Sequence, residues 1–152
     1  MDFSLEIRIG TGLSDLEFGS SMSEVEKLLG KADKVENIND VEEYPTIVWH
    51  YDEIGVSLFF DAKNTRCFVC ADIENAEAML WEEAVFNFTE KRVIELFKSK
   101  GIYLYEIEQQ EWGENRLSFE EANIDFYFVK NKLISINYGI IAEGTQTLIL
   151  PN

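Results

Sequence analysis

One histidine, two cysteines and two prolines in 152 residues leave few ways to build a reactive centre. A structural zinc site takes four ligands, and beyond Cys67 and Cys70 it would need two more from a chain whose only histidine is His50. A redox Cys-x-x-Cys needs its first thiolate stabilised at a helix N-terminus, whereas TRCFVCAD has the pattern of a strand. Period-two alternation places Cys67 and Val69 on one face and Phe68 and Cys70 on the other, which separates the thiols. Both cysteines therefore read as structural, and neither a metal nor a cofactor is expected. His50 lies in IVWHY among aromatic residues, a setting for a surface or satisfied core histidine rather than a general base. No G-x-S-x-G, H-E-x-x-H, P-loop or G-x-G-x-x-G occurs, and Gly10 and Gly12 lack the third glycine of a dinucleotide loop. The adjacent carboxylates Asp52 and Glu53, or Glu120 and Glu121, read as turn residues, because neighbours cannot both face one substrate. The expectation is no catalytic residue and no enzyme.

Positive charge is also scarce. Lys plus Arg total 13 against 29 Asp plus Glu, a formal charge of -16. Such a balance argues against nucleic acid, whose binding rests on neutralising phosphates, and against an anionic membrane surface. It suits a basic partner. No stretch approaches the ~20 apolar residues of a membrane span. The first residues, MDFSLEIRIG, lack a basic segment ahead of an apolar run, so no signal peptide is read and a cytoplasmic location is expected.

What is present is a core and a repeat. Apolar residues make up 46% of the chain, with Phe 11 and Tyr 6, enough for one folded domain rich in strands. FGSSMSEVEKLL, from Phe18 to Leu29, recurs in pattern 68 residues later as FNFTEKRVIELF, from Phe86 to Phe97. Val25, Leu28 and Leu29 match Val93, Leu96 and Phe97, at the i, i+3, i+4 spacing of one helix face. Ser21 followed by Glu24 forms a capping box, Met22 joins the buried stripe, and Gly30 is placed to stop the first helix in a left-handed conformation. Thr89, or Asn87 with Glu90, caps the second, which Gly101 ends.

Around the helices the pattern is of strands. Phe3, Leu5, Ile7 and Ile9 alternate with Ser4, Glu6 and Arg8 in a half-buried strand, and residues 13–18 read as a loop or short turn. After an acidic loop or edge hairpin at 31–45 come strands at 47–51, 56–60 and 66–72. Residues 73–86 read as a linker of low regularity. The second unit offers strands at 103–107, 117–119, 124–129 and 133–138, and a last one at 145–150. Ile124 to Val129 repeats Val56 to Asp61 at the same offset. The spacing predicts an α+β fold in one domain, residues 1–152. It is built from two tandem helix-plus-antiparallel-meander units, approximately 1–74 and 75–152, that form one shared sheet with both helices on one side. The opposite face stays partly exposed. Acids crowd the second unit at Glu106, Glu108, Glu111, Glu114, Glu120, Glu121 and Asp125, with Arg116 the compensating base.

The motifs LEFGSSMSEVEKLLGKAD and GVSLFFDAKNTRC, repeated loosely as FNFTEKRVIELFKSKG and NIDFYFVKNKLIS, resemble a known unit. It is the tandem helix-plus-sheet unit of the beta-lactamase inhibitor protein-like and outer-membrane assembly lipoprotein (BamE/SmpA)-like superfamily. The likeness spans nearly the whole chain and concerns fold. The inhibitor of this type grips its enzyme with a concave sheet, which implies partner-binding candidates on the open face: His50, Tyr51, Trp112 and Tyr127. Glu111 and Glu114 join them from the acidic cluster. The chain departs from the inhibitor in lacking a signal peptide and a disulfide arrangement, and from the lipoproteins in lacking a lipidated N-terminal cysteine. Small acidic proteins of this look also resemble immunity proteins that neutralise toxins. The function expected is thus a non-catalytic, immunity-like inhibitor covering a basic surface of a toxin or enzyme. A small-molecule or peptide-binding sensor domain is the alternative.

Overall fold

The computed structural model describes residues 5–38, 45–63, 65–110 and 112–141. The chain is an α+β protein, mostly strands in two sheets with two α-helices. In chain order the strands are β1 (Glu6–Arg8), β2 (Gly12–Leu13), β3 (Leu16–Glu17), β4 (Lys34–Ile38), β5 (Thr46–Tyr51), β6 (Val56–Asp61), β7 (Phe68–Ile73), β8 (Met79–Leu80), β9 (Glu106–Gln109), β10 (Glu114–Phe119), β11 (Ile124–Val129) and β12 (Lys132–Gly139). The helices are α1 (Met22–Leu29) and α2 (Glu90–Ser99). The larger sheet has the order β4-β5-β6-β7-β12-β11-β10-β9, antiparallel throughout.

A single shared sheet does not account for the whole chain. A second sheet, β3-β2-β1-β8, joins the expected strand β1 to three stretches expected to be turn, loop and linker. β2, β3 and β8 are two residues long, too short to leave a period-two signature. Leu5, Ile7 and Ile9 are buried as their alternation requires, whereas Phe3 and the expected strand at 145–150 lie outside the described residues. The strand expected at 103–107 lies three residues later, and Tyr103, Leu104 and Tyr105 are exposed.

Both helices start where the sequence places them. In α1 the Glu24 N–H donates to Ser21 Oγ at 3.1 Å and the Ser21 N–H donates to Glu24 Oε1 at 2.9 Å. In α2 the cap is Thr89, whose Oγ1 accepts from the Arg92 N–H at 3.2 Å; Asn87 falls in a 3-10 turn, Val85–Asn87. Gly30 ends α1 with φ +83° but an extended ψ of -172°. The buried stripe is narrower than expected. Val25, Val93 and Phe97 are fully buried, Met22, Leu29 and Leu96 only partly, and Leu28 is 42% exposed. A helix of eight residues touches the sheet along little more than one line, and Leu28 lies beyond it.

The core forms where one face of the larger sheet meets these helices. Alternate residues Val56, Leu58 and Phe60 of β6, and Ile124, Phe126 and Phe128 of β11, are buried there. The Phe97 ring stacks on Phe119 at 3.9 Å between centroids and meets Phe126 edge-on at 5.6 Å. Phe18 packs on Phe68 at 4.9 Å. The small sheet is joined to the large one by the Tyr138 hydroxyl, which donates to the Gly12 carbonyl at 2.8 Å. A side chain at Gly12 would run into the Leu16 carbonyl, so only glycine fits that crossing. Among the described residues no polar or charged side chain is fully buried.

The Cys67–Cys70 stretch departs from plain alternation. Phe59 pairs with Cys70 and Phe60 with Phe68, so Val69 is an extra residue on β7. This β-bulge puts Phe68 on the core side and Cys70 on the other, correcting the expectation that they share a face. Both cysteines are free.

Removing the ring at the centre of the core by Phe97→Ala is expected to cost about 3–5 kcal/mol, whereas Leu28→Ala costs only about 0.5–1 kcal/mol. Urea unfolding of the two variants measures the contrast; equal losses would contradict the placement of the helix stripe.

Candidate functional site

On the face turned away from the core, the register lines up one residue from each of the eight strands. The row runs Lys34, His50, Ser57, Asp72, Asn137, Asp125, Ser118, Glu106. Directly paired residues in an antiparallel sheet project to the same side, so these eight polar side chains form one continuous strip. They can be polar because the alternate positions of the same strands carry the core. Flanking the strip are Glu36, the buried Val48, Phe59 and Cys70 in the first half, and Ser135, Tyr127, Arg116 and Glu108 in the second.

Hydrogen bonds tie the strip into two clusters. In the first, His50 Nδ1 lies 2.7 Å from Ser57 Oγ and His50 Nε2 lies 2.9 Å from Glu36 Oε1. The hydrogen bond to His50 holds the Glu36 carboxyl below the usual carboxylate range. A neutral imidazole protonated at Nε2 donates to Glu36 and accepts from the serine hydroxyl; a protonated one donates to both. The hydroxyl–imidazole–carboxylate order is that of a nucleophile relay. Beside it is Asp72, the cross-strand neighbour of Ser57. Burial, followed by the charge of Glu74, pushes its carboxyl up to about 6, against opposing pulls from an Asn137 hydrogen bond and from His50.

In the second cluster the Ser118 hydroxyl donates to Asp125 Oδ1 at 2.6 Å and Arg116 Nη2 donates to Glu108 Oε2 at 3.0 Å. The Arg116 Nε is buried without a partner. Tyr127, hydrogen-bonded to Arg116, has its phenol raised chiefly by burial and next by Asp125. Asn137 bridges the halves: the Cys70 thiol donates to its Oδ1 at 3.5 Å. Burial, then Asp72, pushes that thiol up to about 12, so it is neither a thiolate nucleophile nor a ready metal ligand. Among the described residues no three His, Cys, Asp or Glu side chains converge as metal ligands do.

Of the residues expected on the open face, His50 lies in the strip, Tyr127 flanks it, and Glu114 lies on the same face at the start of β10. Trp112 sits in the β9–β10 turn, 70% exposed. Tyr51 is misplaced by that expectation. It follows His50 in the strand, so it projects to the opposite side, where it is buried and its hydroxyl donates to the Gly30 carbonyl at 2.9 Å. Glu111 lies outside the described residues. Sequence reading missed Glu36, Ser57, Asp72, Asn137 and Ser118. Their one legible signal was a polar residue at each alternate strand position, which locates a face but not a partner across it.

Compared with protein-family models, with curated proteins and with solved structures, the chain has no match. No helix among the described residues is long and apolar enough to cross a membrane.

Asp72 has a pH signature. Its carboxyl titrates at 3.8 in an unperturbed chain and at about 6 when folded, so the unfolded chain loses the proton first. Stability therefore falls as pH rises from 3.8 to about 6, and the penalty is complete above that. Asp72→Asn removes the ionisation and is expected to stabilise the protein at pH 7 by on the order of 1–3 kcal/mol, with the gain vanishing below pH 3.8. Urea melts at pH 3.5 and pH 7 test this; a gain independent of pH would show that burial of the charge is not its source.

Proposed function

We propose that this chain is a non-catalytic protein-binding module, an immunity-like inhibitor that covers a basic surface of a toxin or enzyme with the polar face of its larger sheet. The observation that carries the reading is the strip from Lys34 to Glu106. Three of its eight residues, Asp72, Asp125 and Glu106, are carboxylates, and Glu36, Glu108 and Glu114 share its face in a chain of formal charge -16. Lys34 and Arg116 supply far less positive charge to that face than the acids take from it. A partner bringing lysines and arginines would relieve repulsion that the free protein bears alone.

Two further points support the reading. The larger sheet runs β4 to β7 and then β12 to β9, and each set of four strands follows a helix in the chain, an order that suits a tandem-unit reading without requiring it. A tandem-unit sheet is what the resemblance to sheet-gripping inhibitors implies. The second point concerns the relay of Ser57, His50 and Glu36. The strands that carry Ser57 and His50, β6 and β5, are each hydrogen-bonded on both sides, so the backbone N–H groups beside the hydroxyl are committed to the ladder. An acyl-transfer site needs such groups free, as donors to the oxyanion. The relay is better read as a brace that orders the strip.

The test is capture of partners from the source cell on the immobilised chain, followed by affinity measurement against salt. A basic protein should be recovered, its affinity should fall as salt rises, and the Asp72→Asn/Asp125→Asn/Glu114→Gln variant should bind at least tenfold more weakly. Failure to recover a basic protein, or a complex indifferent to salt and to these substitutions, would sink the proposal.

A further inference from the structure

The row ends at β9, and β9 is an open edge. It pairs with β10 on one side, and among the described residues no strand pairs with its other side. The Gln110 N–H donates to the Glu114 carbonyl at 2.6 Å, in the same register that sets Glu108 against Arg116 and Glu106 against Ser118. In an antiparallel ladder every second residue aims both its backbone groups at the partner. Glu106, Glu108 and Gln110 therefore face β10, and the N–H and C=O groups of Ile107 and Gln109 point outward.

All four residues of β9 are exposed. An edge of this kind is commonly blunted by charged side chains, proline or a bulge, and the two glutamates of β9 repel acidic strands while leaving the edge open to a basic one. β9 contains no lysine or proline, and its pairing with β10 is regular. Its side chains are sorted by face. Glu106 and Glu108 stand on the polar side of the sheet, while Ile107, 46% exposed, stands on the side of Leu117. The cross-strand neighbour of Glu106 is the uncharged Ser118.

We propose that this edge takes an extended segment of a partner protein as a ninth strand, and that the segment alternates basic with apolar residues. The outward backbone groups of Ile107 and Gln109 would hold it, Glu106 and Glu108 would select its basic side chains, and Ile107 its apolar ones. A second copy of β9 fits poorly. Two such strands paired antiparallel about Ile107 set Glu106 opposite Glu108 twice, and like charges directly opposed are destabilising. The site shares Glu106 and Glu108 with the polar face but differs from it in standing on the backbone hydrogen bonding of the edge.

The probe is a blocked hexapeptide of alternating lysine and valine. Binding should slow hydrogen exchange at the Ile107 and Gln109 amides. N-methylation of alternate peptide residues should weaken it at least tenfold, as should Glu106→Lys. Gln109→Pro, which removes an outward N–H and no ladder bond, should do the same. The Asp72→Asn/Asp125→Asn variant should bind the peptide as the parent does, which separates this edge from the face. A glutamate–valine peptide binding equally well, or exchange at Ile107 and Gln109 unchanged by the lysine–valine peptide, would overturn the proposal. So would dimerisation of the free chain that Gln109→Pro abolishes, since it would assign the edge to a second copy.

Discussion

Everything on both faces of the larger sheet depends on one seam, the pairing of β7 with β12. Ile73 meets Ile136, Asp72 meets Asn137, Ala71 meets Tyr138 and Cys70 meets Gly139. On one side of the sheet these pairs bury Ile73, Ala71, Ile136 and Tyr138 and so make a single core out of two sets of four strands. On the other side they bring Asp72 and Asn137 together and make a single strip. The seam is tight. A Cβ on Gly139 would lie 3.0 Å from the Val69 carbonyl oxygen, and Val69 is the bulged residue that turns Cys70 outward. Tyr138 extends the influence of the seam further, because its hydroxyl holds Gly12 and with it the small sheet.

How much of this could be read along the chain follows from the range of each interaction. The capping box of Ser21 and Glu24 closes over three residues, and it was legible. So were β6 and β11, whose alternation is complete within six residues. The small sheet was not, since strands of two residues have no period. Nor was the bulge at Val69. A single inserted residue leaves composition unchanged, yet it reverses the face of everything beyond it. The burial of Tyr51 was legible too, because it follows His50 in a strand and consecutive strand residues face opposite sides. The candidate site was the least legible part. His50 could be singled out as the lone histidine, but Glu36 and Ser57 reach it only through cross-strand register, which depends on where the intervening turns place the strands.

The order of residues along the strip answers a difficulty that composition raises. A chain with 29 acids against 13 bases should suffer where carboxylates gather on one sheet face. Along the strip no two carboxylates are direct neighbours: Asn137 stands between Asp72 and Asp125, and Ser118 between Asp125 and Glu106. Strands lie about 4.8 Å apart, so these acids are spaced by roughly 10 Å, close to the screening length in ordinary salt. The neutral residues do more than separate. Ser118 donates to Asp125, and Asn137 hydrogen-bonds Asp72, so each intervening side chain stabilises a charge beside it. Repulsion is thereby held low enough for the sheet to form while the negative potential of the face is kept. Asp72, at the centre, bears a cost that the neutral neighbours do not remove, because burial still raises its carboxyl against the Asn137 hydrogen bond. The strip ends at Glu106, an exposed acid on a strand whose outer side no described strand pairs.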